Sequence, residues 1–111
     1  MTIREMVKEI QDELRQGDPT PGDAARFDLR LSALLGNCLT EIREADMAYA
    51  HVLLGYLQSE HKSSHAKIKA ETSPEAARLR EARDTKALVI EMLRAVRHFG
   101  RAVSEEARLS R

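Results

Sequence analysis

Read at alternating spacings of four and three, residues 31–70 give Leu31, Leu35, Cys38, Ile42, Ala45, Tyr49, Val52, Tyr56, Ser59, Ser63, Ala66 and Ala70. A seven-residue repeat held this long, with no proline inside it, predicts one continuous helix that seeks a partner helix along its seam. Phe27, Leu34, Leu39, Leu53, Leu54 and Leu57 flank that seam and make the N-terminal part apolar on more than one side. Two partner surfaces are therefore expected, one met within the chain and one by a symmetry mate. In the stretch 58–69, QSEHKSSHAKIK, the seam turns small and polar. Apolar burial falls away there, so the helix should project from the body or be least stable at that point.

The remaining elements follow from punctuation. Ile3, Met6, Val7, Ile10 and Leu14 make one apolar stripe, and Thr2 with Glu5 has capping-box spacing, which predicts an amphipathic helix over 1–16. Gly17 is placed to close it in the left-handed conformation, and Pro19 and Pro21 stiffen a linker over 17–22. The long helix is expected over 23–71 with Asp23 as its cap, followed by a turn over 72–75 and an arginine-rich helix over 76–108. Ser73 and Pro74 supply the start signal of that last helix. Its seam runs Leu79, Ala82, Lys86, Val89, Leu93, Val96, Gly100, Val103 and Ala107, beside a second row of Leu88, Met92, Ala95, Phe99 and Ala102. A short turn makes the two long helices antiparallel. The interior glycines Gly36 and Gly55 mark either a kink or a close crossing.

Composition narrows the class. With 111 residues, 32% charged, 4% aromatic and no Trp, the chain is one all-α domain rather than a sandwich or an α/β enzyme. Residues 1–60 hold 6 Lys/Arg against 11 Asp/Glu, and residues 61–111 hold 12 against 7. Folding one half on the other pairs the two signs, as an antiparallel hairpin does. The thin core of such a hairpin is commonly completed by self-association, and a homo-oligomer is expected. The single Cys38 sits on the seam and reads as a small buried apolar residue. No signal peptide or membrane span is evident, so a cytoplasmic protein that does not engage membranes is expected.

Candidate chemistry is sparse. His61 and His65, four apart on a helix, would share a face as two metal ligands do, but such a pair on a Lys-rich helix is usually just solvated, and no metal is expected. Glu41, Glu44 and Glu60 lack the Glu-x-x-His partner of a di-metal bundle. No nucleophile motif or phosphate-binding loop is present, so no catalytic residue, cofactor or enzyme activity is expected. Arg94, Arg97, Arg101 and Arg108 align along one edge of the last helix. They either pair with the acidic first half or follow a nucleic-acid backbone by electrostatics alone.

Residues 31–111, from the Glu44-Ala45-Asp46-Met47-Ala48-Tyr49-Ala50 stretch through a Lys/Ala-rich helix to an Arg-rich one, resemble the short coil-containing proteins of tailed bacteriophages. The resemblance implies an accessory factor for DNA recombination or replication in the host-cell cytoplasm, and assigns no functional residues. The expectation is a non-enzymatic oligomeric interaction protein with a possible protein partner, assembled through Leu35, Ile42, Tyr49, Val52, Tyr56, Leu93 and Val96. The alternative is a sequence-nonspecific nucleic-acid binder using the arginine row.

Overall fold

The computed structural model describes residues 2–17 and 20–109, with the side chains of Val103 and Ala107 outside that description. Among the described residues four helices follow one another: α1 Ile3–Arg15, α2 Pro21–Ser59, α3 Ser63–Glu71 and α4 Pro74–Leu109. The all-α expectation holds, and the helices pack on one another. The chain divides into two compact units. One is built from the chain up to Asn37 together with Thr85 onward, the other from Cys38–Asp84.

The first unit is a three-helix bundle. The Thr2 hydroxyl accepts from the Glu5 N–H while the Glu5 carboxylate accepts from the Thr2 N–H, so α1 starts on the expected capping box. Thr20, not Asp23, caps α2. Its hydroxyl accepts from the Asp23 N–H at 3.2 Å, and Asp23 accepts in return from the Thr20 N–H at 3.0 Å. Pro21 can therefore occupy the first helical position, two residues earlier than expected. Asp18 and Pro19 of the expected linker lie outside the described residues. No glycine among the described residues has positive φ, so Gly17 does not close α1 in the left-handed form.

In this unit α2 and α4 run antiparallel. Asp28 meets Arg97, and a Cβ at Gly100 would lie 3.7 Å from the Ala24 Cβ. Helix α1 packs on its own chain: Arg4 Nε donates to Thr85 Oγ1 of α4 at 3.1 Å, and Glu13 accepts from Arg30 of α2. Its stripe buries Val7 and Ile10, and the shared core adds Phe27, Leu31, Leu34, Val89, Met92, Leu93 and Val96. Because α2 meets two helices here, its buried face spreads to Leu34, and Leu35 of the expected seam is only half-buried.

The second unit departs most from expectation. The expected helix over 23–71 is interrupted at Glu60–Lys62, and α3 turns back along the end of α2. Lys69 pairs with Glu60 and its Nζ lies 6.0 Å from the Tyr56 ring centroid, contacts that a straight helix could not make. The reversal thus falls at 60–62 rather than over 72–75. Continuing straight would leave Ala66 and Ala70 in water, whereas turning back buries both completely. The 72–73 step is a joint between successive helices. There Ser73 Oγ accepts from the Ala76 N–H at 3.2 Å, with Pro74 opening α4 as the sequence indicated.

Candidate interaction surface

Large and small residues are distributed unusually in the second unit. Its interior is Cys38, Ala45, Ala66, Ala70, Ala76, Leu79 and Ala82, all buried. Alanine seams let two helix backbones approach closely, but they bury little apolar area. The long side chains of the same stretch of α2 lie outside instead. Leu39 is 50% exposed, Met47 60%, Leu54 52% and Leu57 41%. Helical spacing places these four, with Ala50, on one face opposite Cys38 and Ala45. Over 39–57 that face is about 27 Å long at 1.5 Å per residue.

The residues expected to form the assembly seam divide differently. Leu93 and Val96 are buried inside the first unit, where they serve its own core. Leu35, Ile42, Tyr49 and Tyr56 are half-buried beside the Leu31–Cys38–Ala45 row, and Val52, also half-buried, continues it. The flanking set of Leu39, Leu53, Leu54 and Leu57 carries the exposed face. Arg43 and Asp46, which the seam reading passed over, sit within it. Counting in alternating fours and threes from Leu39 rather than from Leu31 would have found them.

The arginine row is largely engaged by its own chain. Arg97 grips Asp28 through two hydrogen bonds of 2.8 and 3.4 Å, Arg94 pairs with Glu91 at 2.6 Å, and Arg108 with Glu105 at 2.7 Å. Arg101 is exposed. Arg78 of α4 likewise reaches back to Glu41 at 2.7 Å and Glu44 at 3.7 Å of α2. Each of these two interhelical contacts joins the acidic half to the basic half, as the uneven charge along the chain implied.

The interhelical pairs have a pH signature. The hydrogen bond from Arg97 holds the Asp28 carboxyl below its ordinary value, and that from Arg78 does the same for Glu41. A carboxyl lowered in the folded state stabilises the fold above its unfolded pKa. That contribution is lost as pH falls through the folded value. Urea midpoints should therefore decline as pH is taken from about 5 to about 3, and less steeply in an Arg78→Ala/Arg97→Ala variant. The effect should be modest because both pairs are solvent-facing. Equal slopes in the two proteins would show that these bridges carry no linkage.

The remaining candidates resolve simply. His61 lies in the reversal and His65 in α3, so the two do not share a helical face. Among the described residues, no group of three or more His, Cys, Asp or Glu is placed to hold a metal ion. Cys38 is buried, as its seam position indicated. Among the described residues no helix is long and apolar enough to cross a membrane.

What the fold defines is a class, a small all-α protein built from packed antiparallel helices. Compared with family models, curated proteins and solved structures, the chain matches none.

Proposed function

We propose that this chain is a non-enzymatic helical interaction protein that works by self-association, with the exposed face of α2 as its working surface. The observation that carries this reading is the packing of the second unit, where five alanines with Cys38 and Leu79 fill the inside while Leu39, Met47, Leu54 and Leu57 face water. An exposed, largely apolar face of that kind, with Arg43 and Asp46 set within it, marks an interaction site on a helix. The pattern of residues 31–111 supports a finer role, an accessory factor of phage DNA recombination or replication acting in the host cytoplasm.

A direct nucleic-acid role for the arginine row is the weaker reading, because Asp28, Glu91 and Glu105 already occupy three of its four guanidinium groups. Light scattering after size exclusion, with and without a labelled single-stranded DNA at low and moderate salt, separates the two. A stable oligomer that ignores the DNA is the expected result. A monomer would remove the self-association reading, and a salt-sensitive shift on adding DNA would put the arginine row first.

A further inference from the structure

The outer face of α2 carries a pattern that selects its partner, an inference that rests on the self-association reading above. Because α2 is a single helix over Pro21–Ser59, a row taken in alternating fours and threes stays on one side of it. Within the second unit that row is Leu39, Arg43, Asp46, Ala50, Leu53 and Leu57. All are exposed except Leu53, which is half-buried.

Turned end for end and laid on itself, the row is self-complementary. Arg43 falls opposite the partner's Asp46, and Leu39 opposite the partner's Ala50. Each of these layers then matches a large side chain with a small one or a cation with an anion. In antiparallel helix pairs the two core positions of the repeat alternate across the interface in this manner, so the register is geometrically ordinary.

Parallel, in-register pairing does the reverse. It stacks Arg43 on the partner's Arg43 and Asp46 on the partner's Asp46, two like-charge contacts in the middle of the seam. We infer that the partner of this face is a second copy of the same chain, joined by a twofold antiparallel contact between the two α2 helices, with Arg43 of each copy on Asp46 of the other. The paired layers from Leu39 to Ala50 span about 17 Å, three turns of helix-on-helix contact.

Charge reversal tests the pairing. Arg43→Asp and Asp46→Arg each place like charges opposite one another, and each should weaken dimerisation roughly tenfold or more by sedimentation at low salt. The double variant Arg43→Asp/Asp46→Arg should recover it, because the pair is restored with its signs exchanged. All three should keep the wild-type helical circular dichroism, since both side chains are exposed.

Cross-linking gives an independent readout in a Cys38→Ala background. A mixture of Leu39→Cys and Ala50→Cys chains should form a disulfide-linked dimer on oxidation. Neither variant alone should do so, because like positions lie about eleven residues apart along the axis, beyond the ~7 Å reach of a disulfide. An oligomer that is insensitive to the single charge reversals, or that cross-links through Leu39→Cys alone, overturns the antiparallel pairing and leaves self-association standing. A wild-type monomer removes both.

Discussion

Replacing Leu31 with alanine should lower the free energy of unfolding by about 2–5 kcal/mol, the span seen when a buried leucine is truncated without full collapse of the cavity. Leu31 is fully buried in the three-helix unit, on the face of α2 that meets the rest of that bundle. Small domains have about 5–15 kcal/mol in all, so the loss is a large share of the total. Leu29, two residues away on the same helix, is 73% exposed, and its alanine variant should stay within about 0.5 kcal/mol of the parent. Urea unfolding followed by circular dichroism, at one fixed protein concentration because assembly would shift the midpoint, measures both. Similar losses for the two variants would mean that the Leu31 row is not the centre of the core. A loss at Leu31 alone ties the first half of the seam to the fold of the single chain.

The same row shows why the sequence was partly legible. Leu31, Cys38 and Ala45 are seven apart, and a helix cannot turn them away from a partner without turning all three, so period alone located them. The alternate position of the repeat was harder to place. Leu34 and Leu35 are both leucine, and the choice between them depends on how many helices α2 meets, which a count along one chain does not contain. Capping chemistry was local and therefore readable at Thr2, Ser73 and Pro74. At the start of α2 two residues of capping type stood three apart, and the geometry assigned the cap to Thr20 and the reciprocal role to Asp23.

The reversal at 60–62 was hidden for a different reason. Ser59, Ser63, Ala66 and Ala70 keep the heptad spacing across the break, so period reports continuity where the chain folds back. What decides the break is a comparison of burial between two shapes. A straight helix over 58–69 has nothing to pack on, whereas a reversed one sets Ala66 and Ala70 inside and brings Lys69 to Glu60. The ion pairs between helices were legible only as a charge imbalance between halves. Which arginine meets which carboxylate followed from the register.

The buried alanines of the second unit lead to the other large effect. Ala45→Leu should destabilise the protein by about 1–3 kcal/mol, because Ala45 is fully buried and a longer side chain there must displace its neighbours. Leucine is nearly as good a helix former as alanine, so the loss cannot be laid to propensity. Ala77, exposed on α4 in the same unit, supplies the control, and its leucine variant should be close to neutral. Thermal melts of the two variants beside the parent decide it. If Ala45→Leu were tolerated, the space between these helices would be loose enough to accept large side chains. The leucines on the outside of α2 would then have had room inside their own unit, and their exposure would no longer argue for a partner. If it is not tolerated, close packing of alanines is what holds this unit together, and Leu39, Leu54 and Leu57 have nowhere to be buried except against another molecule.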